Sequence, residues 1–366
     1  MPASGCVDIC PACPHRSLPA TKSLARKQQW LVNRLGEFAP LLEPVKGLPE
    51  ELRTGYRKKV CLAAQYNGCS WNIGIKRRDE VIPVHDCPVH NQNINNNIRL
   101  LSQSIPSPEL FPLAWFMQSG AQLCLVVKCR QIPEMKWLDE TLINQLQSNG
   151  VEGFWLHLFP STGKKVTGKG GWHLIFGKQR SVSESGLIYG PSSFQQVLPL
   201  LYEEALDETA GFLKPGPRSM IIDLYCGTGA SLRQWVSKGA KVLGIELGGE
   251  ALECAAINCP EASLLRGACR LRIPQMQNEV AIARNKNLAI MVFANPPRTG
   301  LEREVAEWIA ADLCPDKMAY LSCSAGTLHR DLSYLGKHGY MTERILPYDF
   351  FPGTLHVETL ALISRQ

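Results

Sequence analysis

The chain has 366 residues, 45% of them hydrophobic and 20% charged, with a formal net charge of +6. That length asks for two or three domains, and that composition excludes a disordered or fibrous protein. No run approaches the roughly 20 apolar residues of a membrane span. The first residues carry cysteines where a signal peptide would need an apolar stretch, so the cytoplasm is the expected compartment. Residues 1–202 hold 22 Lys+Arg against 14 Asp+Glu, whereas residues 203–366 hold 17 against 19. A basic front half on a near-neutral back half suits a polyanion-gripping region joined to a catalytic one.

Cys6, Cys10 and Cys13 form a C-x3-C-x2-C cluster at the start of the chain. Three thiolates on one short loop can converge on a metal, but a closed site needs a fourth ligand. Cys87, in the turn-prone run His85-Asp-Cys-Pro-Val-His90, is the candidate. Four thiolates suit zinc or an iron–sulfur cluster, and spacing does not separate them. Cys61, Cys69, Cys124, Cys129, Cys254, Cys259, Cys269 and Cys314 show no ligand spacing and are expected to be packing residues. From Thr21 to Phe38, leucines 24, 31 and 35 recur at helical spacing with Lys22, Arg26, Lys27 and Arg34 around them; Pro40 and Pro44 are expected to end that helix.

Residues 45 to about 200 alternate short apolar runs (Val60–Ala64, Gln122–Val127, Phe154–Leu158) with turn residues. This predicts a β-rich domain with occasional helices such as Met135–Gln147. Arg57-Lys58-Lys59, Lys76-Arg77-Arg78, and Lys164, Lys165 and Lys169 in a glycine-bearing turn are candidate phosphate contacts.

From residue 203 the pattern becomes strand–helix alternation: strand Ser219–Leu224, helix Ala230–Lys238, strand Lys241–Ile245, helix Gly249–Asn258, strand Ala289–Ala294 and a terminal strand around Leu360–Ile363. Such alternation predicts a doubly wound, Rossmann-like α/β domain with its ligand at the carboxyl ends of the strands. Tyr225-Cys-Gly-Thr-Gly229 makes a tight turn after the first strand, and Glu246 ends the second, where a carboxylate can accept the two hydroxyls of a ribose. The turn lacks the third glycine of the dinucleotide fingerprint. Asp223 would repel a pyrophosphate and attract the cationic methionine end of S-adenosylmethionine, so that cofactor is favoured over NAD.

Asn295-Pro-Pro-Arg298 closes another buried strand. Arg298 stands where enzymes that methylate exocyclic amines carry an aromatic residue, which disfavours amine chemistry. Cys323 lies 25 residues further on, just after the apolar run Met318–Leu321. A cysteine in that place points to carbon methylation of a pyrimidine: thiolate addition at C6 makes C5 nucleophilic toward a methyl sulfonium, and a base must then remove the C5 proton. Glu358, next to the terminal strand, is the candidate base.

With these motifs in place, the chain closely resembles the RNA uracil-5-methyltransferase family almost end to end. It is most similar to the short 23S ribosomal RNA uracil-C5 methyltransferases that lack the N-terminal TRAM domain. The resemblance rests on Cys6/Cys10/Cys13 with Cys87-Pro88, Gly55-Tyr-Arg-Lys58, Pro191-Ser-Ser-Phe-Gln-Gln196, Asp223-Leu-Tyr-Cys-Gly227, Asn295-Pro-Pro-Arg298, Ser322-Cys323 with Arg330-Asp331, and Phe351-Pro352 through Glu358. It implies a [4Fe-4S] cluster on Cys6, Cys10, Cys13 and Cys87. It further implies S-adenosylmethionine contacts from Gln196, Tyr225, Glu246 and Asn295, Cys323 as nucleophile, and Glu358 as base. The implied partner is RNA, 23S ribosomal RNA first and transfer RNA as the alternative, with no membrane; a non-catalytic RNA-binding or assembly factor is the rival from another class. Leu198, Ser324 and Gly267-Ala268-Cys269 depart from the family pattern near the cofactor and the base. The expected division is an iron–sulfur region at 1–40 and 85–90, a β-rich RNA-binding domain at 41–200, and a methyltransferase domain at 203–366.

Overall fold

The computed structural model describes residues 3–163, 165–168 and 170–366. Two of the candidate phosphate contacts, Lys164 and Lys169, lie outside them. The chain forms two compact units, one of residues 1–17 and 49–197 and the other of residues 18–48 and 198–366. The segment 18–48, expected with the cysteine region and the β-rich domain, belongs instead to the second unit, and the later boundary falls at 198 rather than near 203.

That segment carries the first helix, α1 (Ala20–Leu35). Its end differs from expectation: Gly36, with φ of 53°, stops the helix, and the chain continues as a 3-10 turn from Gly36 to Leu41 that contains Pro40. A left-handed residue costs glycine little and frees the chain to turn back.

The first unit is built on a seven-stranded sheet. Its strands are β1 (Lys59–Tyr66), β2 (Trp71–Arg77), β3 (Glu80–Pro83), β4 (Leu113–Ser119), β5 (Gln122–Val127), β6 (Gly153–Leu158) and β7 (Trp172–Gly177), in the order β3-β2-β1-β4-β5-β6-β7. All neighbours are antiparallel except β5 and β6, whose connection contains a helix, as a parallel pair requires. Helices α2 (Gln92–Ser104) and α3 (Glu140–Ser148) contribute Ile94, Ile98, Leu101, Leu142 and Leu146 to a core with Ile73, Phe116, Leu125 and Phe154. The asparagine-rich α2 is absent from the sequence reading, yet Ile94, Ile98 and Leu101 recur at helical spacing and the Asn91 side chain caps it by accepting from Asn93 N. Asp139 caps α3 through Leu142 N at 2.8 Å, so that helix starts five residues later than expected. A short hairpin, β8 (Ser181–Val182) and β9 (Ile188–Tyr189), follows.

The second unit continues with α4 (Pro199–Leu213), β10 (Ser219–Leu224), α5 (Ala230–Ser237), β11 (Lys241–Glu246), α6 (Gly249–Asn258), β12 (Ser263–Arg266), α7 (Cys269–Asn285), β13 (Ala289–Ala294), α8 (Arg303–Trp308), β14 (Lys317–Ser322), α9 (Ala325–Gly336), β15 (Tyr340–Tyr348) and β16 (Glu358–Arg365). The sheet runs β12-β11-β10-β13-β14-β16-β15, with β16 antiparallel to both neighbours and the other pairs parallel. All six residues of β10 are buried, which explains its unbroken apolar run: a parallel strand covered on both faces has no polar side to alternate with. Strand order reverses between β10 and β13, and that switch point opens a crevice at the carboxyl ends. Among the described residues, no helix is long and apolar enough to cross a membrane.

Candidate active site

Register alone brings three of the predicted cofactor residues side by side. Leu224 on β10 pairs with Ile245 on β11 and with Ala294 on β13, so the next residues, Tyr225, Glu246 and Asn295, stand level at three adjacent strand ends. Tyr225 adopts φ of 63°, a conformation that costs a non-glycine residue of order 1–3 kcal/mol and marks functional turns. Both oxygens of Glu246 are held by backbone amides: Gly227 N donates to Oε2 at 3.0 Å and Gly248 N to Oε1 at 2.7 Å. A carboxylate oxygen has more than one lone pair, so this pinned, half-buried group keeps acceptor capacity for a diol. Asn295 N donates to Leu224 O, and the Asn295 side chain hydrogen-bonds Tyr202.

Asp223, near the end of β10, has a structural contact of its own. It is wholly buried, accepts from Trp235 Nε1 at 2.8 Å, and burial pushes its carboxyl up to about 7. It braces α5 from inside through Trp235. Gln196 lies half-buried in the irregular segment that closes the first unit.

The reacting end is also set by register. Ser322 on β14 pairs with Thr359 on antiparallel β16, which sets Cys323 opposite Glu358. Burial raises the Cys323 thiol above its ordinary 9.0 and the Glu358 carboxylate adds to the rise, whereas Arg298 opposes it by charge and by hydrogen bond. Glu358 is 6% exposed, and burial lifts its carboxyl from 4.5 to about 7 against the pull of Arg298. Arg298 is thus the common neighbour of thiol and carboxyl. Sequence reading used it only to set aside amine chemistry; its place just after β13, one strand from the strand that leads to Cys323, was the available signal.

Asp331 fixes that arginine's loop. Its Oδ2 accepts from Tyr320 OH at 2.7 Å and from Leu301 N at 2.9 Å, and Arg330 joins its Oδ1 to Thr299 O. The loop after Arg298 is thereby tied to the strand that delivers Cys323. Of the departures from the family pattern, Leu198 and Ser324 stand at the N-termini of α4 and α9, and Cys269 is buried at the start of α7.

In the first unit the four cluster cysteines come from two touching loops. Gly5 lies so close to the Asp86 carbonyl that a Cβ there would stand 2.2 Å from the oxygen, and its φ of 84° is one a larger residue rarely adopts. Cys6, Cys10, Cys13 and Cys87 are all half-buried. Burial pushes the Cys13 thiol up to about 11, with Cys87, Cys10 and Cys6 adding to the rise. Among the described residues, however, no group of three or more His, Cys, Asp or Glu side chains is arranged to hold a metal ion. The four thiols lie near one another but are not drawn into ligand geometry.

Other expectations need correction. Cys61 and Cys69 are exposed rather than packed. Lys59 is committed to Ser193 O at 2.6 Å and lies over the Phe194 ring, and Arg57 sits beside the Cys13 and Cys87 thiols, so neither is an open phosphate contact. Lys76, Arg77 and Arg78 are exposed, and Lys58 is exposed in an ion pair with Glu184.

The model of the family described as tRNA (Uracil-5-)-methyltransferase matches residues 213–366, the span that holds Tyr225, Glu246, Asn295, Cys323 and Glu358. An uncharacterized RNA methyltransferase of Clostridium tetani is 28% identical over 358 residues, 90% of this chain and 75% of the relative. The 23S rRNA (uracil(1939)-C(5))-methyltransferase RlmD of a Marinomonas species is 25% identical over 376 residues, covering 98% and 80%. Residues 213–366 thus carry the likeness to the uracil-5-methyltransferase family, and the relatives matched over most of the chain are RNA methyltransferases by description. The fold is similar to the crystal structure of Pyrococcus abyssi tRNA (uracil-54, C5)-methyltransferase in complex with S-adenosyl-L-homocysteine, with a TM-score of 0.74 at 20% identity over 99% of this chain and 86% of that one. The matched family and relatives point to an RNA uracil-C5 methyltransferase.

Proposed function

We propose that the enzyme methylates C5 of one uridine in 23S ribosomal RNA through a covalent bond between Cys323 and C6 of the base. The observation that carries this reading is the juxtaposition, across β14 and β16, of a thiol and a buried carboxyl with Arg298 against both. Arg298 favours the thiolate by charge; the thiolate adds to C6 and the C5–C6 π electrons become available at C5. The donor supplies an electrophilic methyl group. Glu358 in its ionised form takes the C5 proton; the C5=C6 bond re-forms and the sulfur leaves as thiolate. Tyr225, Glu246 and Asn295 would hold the donor, with Glu246 on its ribose. This dependence on thiol and base also sets the reading apart from a non-catalytic assembly factor.

In the first unit, Cys6, Cys10, Cys13 and Cys87 would hold a [4Fe-4S] cluster. Methyl transfer needs no electron, so its part is structural: tying the N-terminal loop to the loop around Cys87. The exposed Lys58, Lys76, Arg77 and Arg78 would grip RNA phosphates, leaving the uridine to be flipped into the cleft, which favours a loop over a duplex. The cytoplasm is the matching compartment. Transfer RNA is the second reading, favoured by the description of the matching family model. Mapping 5-methyluridine in ribosomal and transfer RNA from strains with and without the gene decides between them: the proposal requires loss at one 23S position, and loss in transfer RNA alone rejects it.

A further inference from the structure

We propose that Lys27 is a positioning residue for proton abstraction: it staples the loop that aims Glu358. This rests on the reading of Glu358 as the base.

Tyr348 on β15 pairs with Glu358 on β16, so residues 349–357 form the loop of a hairpin. Hairpin loops are commonly 2–5 residues long. A longer connection leaves the first residue of the returning strand less constrained by its turn, and here that residue is Glu358.

The side chain of Lys27, on α1, enters this loop. Lys27 Nζ is 2.5 Å from Asp349 Oδ1, with relative exposures of 0% and 2% for the two side chains. It also donates to Phe351 O at 3.1 Å and to His356 O at 2.8 Å. These contacts reach the beginning, the first limb and the end of one loop, as a three-donor ammonium can. The last contact lies two residues before Glu358. Inside the loop, Thr354 Oγ1 donates to Phe351 O and accepts from His356 N, which joins the two lysine-bound carbonyls by a short path. Asp349 N donates to Lys46 O, so the start of the loop is tied to the N-terminal segment as well.

Adhesion alone does not account for a lysine here. Leu31 and Leu35 on the same helix are fully buried and supply the packing. A buried ion pair is often no more stabilising than apolar side chains of similar volume. What a lysine adds is direction: three hydrogen bonds that set the loop's limbs at fixed positions. A base displaced by about 1 Å can lose on the order of 100-fold in rate.

The test measures where methyl label resides. Ribosomal RNA from a strain lacking the gene is incubated with full-length enzyme and methyl-labelled S-adenosylmethionine, then denatured. Protein-bound methylated RNA is compared with released methylated RNA. This ratio does not depend on the fraction of enzyme that is folded, so a purely structural defect leaves it unchanged. Lys27→Met should raise the ratio at least tenfold, because addition and methyl transfer proceed while proton removal lags. The double variant Lys27→Met/Asp349→Asn removes the unpaired buried charge that could prevent folding, but still lacks both carbonyl contacts, and it should show the same rise. Glu358→Gln run in parallel separates the two claims. If Glu358→Gln accumulates bound RNA and the double variant keeps the wild-type ratio, the role of Lys27 is overturned alone. If Glu358→Gln accumulates none, the assignment of the base fails and takes this proposal with it.

Discussion

Replacing Glu358 by glutamine should abolish turnover and make the protein more stable at alkaline pH. Burial lifts the folded-state carboxyl from 4.5 to about 7, so folding favours its protonated form. That contribution is fully present below about 4.5 and is lost as pH rises through about 7, because the unfolded chain ionises freely while the folded one resists. A shift of this size corresponds to about 3 kcal/mol. Glutamine cannot ionise and keeps the neutral state at every pH. The stability difference should therefore be near zero at pH 4.5 and approach 3 kcal/mol above pH 7. For a unit of about 200 residues that is a rise in Tm of roughly 6–12 °C. Thermal unfolding of both proteins at pH 5 and pH 8, with RNA methylation at pH 8, checks both halves. A variant no more stable than wild type at pH 8 would refute the buried, ionisation-resistant carboxyl. Turnover at the wild-type rate would refute its role as base.

Enzyme purified without oxygen should be brown and contain about four iron atoms per chain, the count of a cubane cluster; stoichiometric zinc without iron would reject that assignment. Replacing Lys58 and Arg77 by alanine should weaken RNA binding and flatten its salt dependence by about one to two units of slope, with binding of S-adenosylmethionine unchanged. Titration of RNA at several salt concentrations measures this, and an unaltered slope would move RNA docking elsewhere.

The catalytic strands were legible because buried parallel strands read as unbroken apolar runs: β10 and β13 have the bounds expected of them. Glu246 follows from the same logic, since it ends β11, whereas Tyr225 and Asn295, one residue beyond β10 and β13, came from the family resemblance. What sequence reading missed depends on long-range packing. Lys27 looked like part of the charged surface of an amphipathic helix, and only the partner 322 positions away explains its burial. Asp223 is a strand-end acid by pattern and an internal brace by structure, because Trp235 comes back over it from α5. Lys59 reads as one of three basic residues in a row, but strand alternation sends its side chain toward Ser193 while Lys58 stays exposed.

The central claim is a bond between Cys323 and C6 of uracil, and RNA carrying 5-fluorouridine tests it most directly. Fluorine at C5 cannot leave as a proton, so the enzyme should stop with the base methylated at C5 and still attached. Incubation with S-adenosylmethionine, digestion and mass spectrometry of the linked peptide should place a methylated fluorouridine on Cys323, and no adduct should form with Cys323→Ala. An adduct on a different residue, or robust methylation of ordinary RNA by Cys323→Ala, would contradict the account.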